Sequence, residues 1–229
     1  MGGVESVLES PRFSPDLLSP EEIRILGALI EKEATTPEYY PMTANGLTAA
    51  CNQKSNRFPV TEYSENDILS VLHDLRAKGL ASERTGGSRV PKYGQRFTER
   101  LNLGRRETAI LCVLMLRGQQ TIGEIKGRTD RLYGFTDLDE VELVLQKLKS
   151  REGGALVQKL APAPGMKEPR WAQTLGGLQI SSSGDEGVAA AHAAPTSSRA
   201  NDRLSALESE VATLQTEVAE LRRLLESVM

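Results

Sequence analysis

A five-residue pattern occurs twice in this chain. Val71-Leu72 and Leu75 precede Gly79, and Val144-Leu145 and Leu148 precede Gly153-Gly154. In both places the apolar residues share one helical face, glycine stands where a helix would stop, and a short strand-like run follows. A chain that repeats a whole order of elements has two equivalent faces to bury. That limits its folds more tightly than its composition does.

The elements around the first copy are well signalled. Ser19, Pro20 and Glu22 form a capping box with proline at the first helical position. Ile23, Leu26, Leu29, Ile30 and Ala34 then repeat on one side, which predicts a helix from Pro20 to about Ala34. Thr35-Thr36-Pro37 ends it, because the residue before proline disfavours helical backbone. A shorter helix is expected from Thr43 to Cys51. A third opens at Ser64 with Asp67 at the box position and closes at Gly79. Leu80–Arg84 and Val90–Gln95 read as strands joined at Gly86-Gly87.

The second half repeats the order. Helices are expected over Arg105–Arg117, from Thr121 through Ile125, and from Thr136 or Asp137 to Gly153. Strands follow at Leu156–Leu160 and Arg170–Thr174. Three helices followed by a hairpin is the order of a winged helix. The expected fold is therefore mainly α with small β-hairpin wings, an α+β class of two tandem winged-helix domains at 18–102 and 103–175, after a disordered stretch at 1–17.

Beyond residue 175 the composition shifts. Residues 176–200 are rich in Ser, Gly and Ala and read as a flexible linker. In 201–229, Leu204, Leu207, Val211, Leu214, Val218, Leu221, Leu225 and Val228 form an uninterrupted heptad seam. Valines at a and leucines at d favour a parallel two-stranded coiled coil, with Arg203 facing Glu208 and Glu217 facing Arg222 of a second copy. The expected partner is thus the chain itself, with antiparallel pairing left open.

Chemistry is sparse. His73 and His192 are the only histidines, and Cys51 and Cys112 share no metal-ligand spacing. No phosphate-cradling glycine loop and no nucleophile–base pair is present, so a non-enzyme without metal or cofactor is expected. The N-terminus lacks an apolar secretory core, no run reaches membrane-spanning length, and the cysteines read as reduced thiols. Together these predict a cytoplasmic protein with no membrane association.

The net charge of −3 hides an uneven spread. Residues 1–53 carry 3 basic and 8 acidic side chains, whereas residues 54–106 carry 11 and 6. Residues 107–176 carry 10 and 9, and residues 177–229 carry 4 and 8. The basic segment contains Arg84, Arg89, Lys92 and Arg96 around the first hairpin. The polar run Asn52, Gln53, Lys54, Asn56 and Arg57 lies close by in sequence. Such side chains suit phosphates and base edges, so these residues form the candidate nucleic-acid surface, DNA being the expected ligand. Against this, both third helices begin with carboxylates: Glu65 and Asp67 in one, Asp137, Asp139, Glu140 and Glu142 in the other. These would repel phosphates. The alternative is a non-catalytic scaffold that contacts other proteins, and both readings stand at this point.

Two runs are more distinctive than a generic winged helix. One is Thr35-Thr36-Pro37-Glu38-Tyr39-Tyr40-Pro41-Met42-Thr43; the other is Ala50-Cys51-Asn52-Gln53-Lys54-Ser55-Asn56-Arg57. With Arg89-Val90-Pro91-Lys92-Tyr93, Leu116-Arg117-Gly118 and Glu168-Pro169-Arg170-Trp171, they closely resemble the YceH-like family of uncharacterised bacterial proteins. The resemblance covers roughly residues 18–175. It implies a tandem winged-helix fold and a bacterial cytoplasmic setting, with no activity and no ligand residues to carry over.

Overall fold

The computed structural model describes residues 18–85, 90–162, 165 and 168–177. The expected disordered start, the linker beyond Gly177 and the coiled-coil seam lie outside these residues, as does Arg89.

The first module contains α1 (Pro20–Thr35), α2 (Ala44–Cys51), α3 (Glu65–Ala77), the antiparallel strands β1 (Ala81–Arg84) and β2 (Lys92–Gln95), and a four-residue helix α4 (Phe97–Arg100). The second contains α5 (Arg105–Arg117), α6 (Ile122–Thr129), α7 (Leu138–Lys149) and the antiparallel pair β3 (Val157–Leu160) and β4 (Arg170–Gln173). Mainly helical structure with small hairpins is therefore what the chain adopts.

Local chemistry accounts for the helix starts. Ser19 accepts from the Glu22 amide at 3.2 Å, and the Glu22 carboxylate accepts from the Ser19 amide at 2.8 Å. The same reciprocal box closes at Ser64–Asp67 and Thr121–Glu124. These bonds satisfy amide donors that have no partner within the helix. They also explain the carboxylates at the starts of α3 and α7. The Ser64 backbone N–H and hydroxyl hold the Asp67 carboxyl below its ordinary value. Asp137 caps Glu140, whose own carboxylate accepts from Thr136.

The repeat extends to backbone bonds that the periodicity did not specify. Met42, just before the cap of α2, exchanges two hydrogen bonds with Tyr93 of β2, at 3.0 and 2.7 Å. Gln120, just before the cap of α6, does the same with Trp171 of β4, again at 3.0 and 2.7 Å. Leu80 and Leu156 likewise each donate to the last core leucine of the preceding helix, Leu75 and Leu148. The two modules thus close their sheets identically.

Helix α1 shows how the modules meet. Its apolar stripe predicted one buried side, yet every residue from Glu22 to Ile30 is buried. α2, α3 and β2 cover part of its surface and α5 covers the rest. Gly27 is a point of close approach: a Cβ there would lie 2.9 Å from Leu116 Cδ2 and 3.2 Å from Met115 Cβ. The Cys112 thiol donates to the Gly27 carbonyl at 3.5 Å. All described residues accordingly fall within one compact unit.

Candidate functional site

Two buried arginines shape the loop after α2. Arg24 of α1 donates to the Cys51 carbonyl at 3.2 Å and to the Pro59 carbonyl at 2.5 Å. Arg57 donates to the Ala50 carbonyl at 2.9 Å and grips Glu31 with both terminal nitrogens, at 3.1 and 2.6 Å. The Arg57 side chain has no exposed area. Arg57, expected on the contact surface, is therefore an internal cation: a guanidinium in this position reaches three acceptors at once and anchors the loop. Asn52 is also occupied, accepting from the Tyr63 amide at 2.9 Å and donating to the Tyr63 carbonyl at 2.8 Å.

Burial alone would push the Glu31 carboxyl up, but the hydrogen bond and charge of Arg57 outweigh it and hold the group below its ordinary value of 4.5. The stability it contributes is complete above that ordinary value and is lost as pH falls through the lower folded one. Denaturation measured from about pH 6 down to about pH 3 should reveal this acid-labile part, and Glu31→Gln should lack it. An identical acid profile for the variant would refute the coupling.

With Arg57 turned inward, the remaining loop residues point elsewhere. Gln53, Lys54, Ser55 and Asn56 line a cleft of about 490 Å³ at the junction of the modules. Asn56 adopts a left-handed conformation, φ 61°, and its amide oxygen accepts from Arg117 of α5. The same cleft is lined by Lys32 of α1, by Arg128 of α6 and by Arg131 just beyond it. Cys112, Val113 and Leu116 of α5 supply an apolar floor. Five cationic side chains thus face one carboxylate, Glu31, already gripped by Arg57. Burial, followed by the charge of Arg128, lowers the basicity of Arg117. Arg117 is thus a partly buried guanidinium held beside like charge.

The other predicted residues lie on the first hairpin. Arg84 and Lys92 are direct partners across the β1–β2 ladder, and both are exposed. Among the described residues no ion pair engages either one. Arg96 is exposed and pairs with Glu99 at 3.3 Å. None of these three lines the cleft. The predicted surface therefore divides: Gln53, Lys54 and Asn56 go to the cleft, Arg84, Lys92 and Arg96 to the hairpin, and Asn52 and Arg57 to scaffolding. Lys32, Arg117, Arg128 and Arg131 were missed. Their one sequence signal is the basic spacing Arg117, Arg128, Arg131, diluted by the acidic residues of the same half.

His73 is exposed on α3, and both cysteines are buried free thiols. Burial pushes the Cys51 thiol up to about 12, so it is protonated and unreactive at neutral pH. No helix among the described residues is long and apolar enough to cross a membrane.

Known proteins share nearly the whole chain. A "UPF0502 protein" of Solibacter usitatus is 52% identical over 207 residues, covering 90% of this chain and 97% of the relative. Another from Vibrio atlanticus is 46% identical over 219 residues, covering 93% and 99%. One from Pelobacter propionicus is 45% identical over 211 residues, covering 92% and 95%. Matches of this length reach well past residue 177, so the likeness extends into the tail, beyond the 18–175 span that the motifs suggested. Residues 18–166 match the family described as "Protein of unknown function, DUF480". This chain belongs to the DUF480 family, whose function is unknown, and its relatives are bacterial proteins.

Proposed function

We propose that this chain is a tandem winged-helix protein that binds DNA through its first hairpin, by binding rather than by catalysis, in a transcription-associated role. The supporting observation is the cross-strand pair Arg84–Lys92. Like charges placed directly opposite on a ladder are destabilising, and a phosphate between them removes the penalty. The second hairpin is a useful contrast. There Lys159 lies 3.8 Å from Glu142, and Arg170 lies 3.2 Å from Glu124. These two strand cations already have partners. In this reading the heptad seam of 201–229 pairs two copies, which gives two linked hairpins and a gain from avidity.

A duplex of about 20 base pairs, titrated by fluorescence anisotropy between about 50 and 200 mM salt, tests the proposal. The full chain should bind with steep salt dependence. Arg84→Gln with Lys92→Gln should weaken binding to every sequence and reduce the log–log salt slope by roughly two. Absence of binding at low salt, or an unchanged slope, would overturn it. The alternative, a protein-interaction scaffold, draws on Leu143 of α7, which is 69% exposed among acidic neighbours. Protein partners captured from lysate and retained after nuclease treatment would favour that reading.

A further inference from the structure

We infer that the cleft between the modules is a binding site for a small polyphosphate, either inorganic pyrophosphate or the phosphate end of a nucleoside di- or triphosphate. This goes beyond the DNA reading, because the hairpin that carries that reading contributes nothing to the cleft.

The charge balance comes first. Lys32, Lys54, Arg117, Arg128 and Arg131 line the cleft with Glu31 as the one carboxylate. The five cations are not all free. Lys32 lies 3.3 Å from Glu31, but that carboxylate is shared with Arg57. Arg128 lies 3.4 Å from Glu124, which also takes Arg170. Arg117 donates to the neutral Asn56 amide oxygen, and among the described residues no ion pair engages it. Among the described residues, no hydrogen bond or ion pair engages Lys54 or Arg131. The cleft therefore holds several positive charges beyond what its own carboxylate offsets. A multiply charged anion would neutralise them, and Arg117 and Arg131 offer the planar forks suited to phosphate oxygens.

Size and shape narrow the ligand. A volume of about 490 Å³ falls within the usual range of small-molecule sites. It is a concave space walled by both modules, whereas a duplex presents its phosphates on a convex surface. Gln53 and Ser55 add neutral polar groups on the wall, and Cys112, Val113 and Leu116 give an apolar surface for a base. The loop that carries Gln53 to Asn56 is already fixed by Arg57 and Asn52. Little ordering is then required on binding, and pre-ordering of this kind favours affinity.

Calorimetric titration and thermal melting of the full chain in about 50 mM salt test the site. The probes are inorganic phosphate, sulfate, pyrophosphate, ADP and ATP. Pyrophosphate, ADP and ATP should bind and raise the melting temperature, while phosphate and sulfate at equal concentration should not. ATP binding tighter than pyrophosphate assigns the nucleoside source, and equal affinity assigns the inorganic one. Lys54→Gln with Arg131→Gln should weaken binding by roughly tenfold or more. Both residues are exposed and have no ion pair among the described residues, so the unliganded melting temperature should not move. The hairpin variant Arg84→Gln with Lys92→Gln should keep full polyphosphate affinity, so the two proposals fail independently. The inference is overturned if no probe binds, if sulfate matches pyrophosphate, or if the cleft variant binds normally. Equal loss of duplex and polyphosphate binding in the cleft variant would also overturn it, by making the cleft part of a nucleic-acid surface.

Discussion

Glu31→Ala should lower the unfolding free energy by about 3 kcal/mol, a large share of the stability of an ordinary domain. The cost does not come from the surface of the pair. The Arg57 side chain is fully enclosed and that of Glu31 is only 16% exposed. Without the carboxylate, the guanidinium keeps carbonyl acceptors at Ala50 and Asn56 but loses its counter-charge. A buried charge left unpaired is far more costly than the pair is favourable. Replacing Arg57 by Met in the same background removes the charge and refills most of the volume. The double variant should therefore be more stable than Glu31→Ala alone, with a coupling of roughly 2 kcal/mol in denaturant titrations. A Glu31→Ala cost below about 1 kcal/mol, with no recovery in the double variant, would mean that the pair behaves as an exposed one. The same series bears on the cleft, because Arg57 fixes the loop that brings Gln53 and Lys54 to its wall.

How much of this was legible in the sequence depended on the range of the physics involved. Capping boxes and apolar stripes act within four residues, so Ser19, Ser64 and Thr121 marked helix starts that the structure places within a residue or so. Four-residue α4 carries too little periodicity to announce itself; Phe97 is buried, but one apolar residue defines no stripe. The fate of Arg57 turned on Glu31, which is 26 positions away, and a polar run reads as exposed until such a partner is known. Charge counted by segment failed at the cleft for a related reason. Arg117, Arg128 and Arg131 belong to a half with nearly balanced charge, and only folding gathers them at one cleft. The all-round burial of α1 was equally hidden, because its second buried side exists only when α5 arrives. Gly27 was the available clue: a glycine inside an otherwise strong helix costs about 1 kcal/mol against alanine and usually marks a close approach.

That clue supports the second large effect. Gly27→Leu should lower the melting temperature by roughly 10 °C, which corresponds to about 3 kcal/mol of overpacking in a chain of this size. A Cβ alone would stand 2.9 Å from Leu116 Cδ2 and 3.0 Å from its Cγ, and Leu116 is itself 3% exposed with little room to retreat. The longer side chain would then have to part α1 from α5. Gly127→Ala is the matched control: it lies inside α6 with open space around its added methyl, so it should stabilise by up to about 1 kcal/mol. If glycine substitution acted through helix propensity alone, both changes would raise stability. Opposite signs would locate the effect in the α1–α5 seam. The cleft provides a second readout. Its walls include Glu31, Lys32 and Thr35 from α1 and Cys112, Val113, Leu116 and Arg117 from α5. A seam forced open should therefore weaken pyrophosphate binding in the variant fraction that remains folded, while duplex binding at the Arg84–Lys92 hairpin is preserved. Loss of both together would mean that the first module cannot hold its own fold once α5 is displaced.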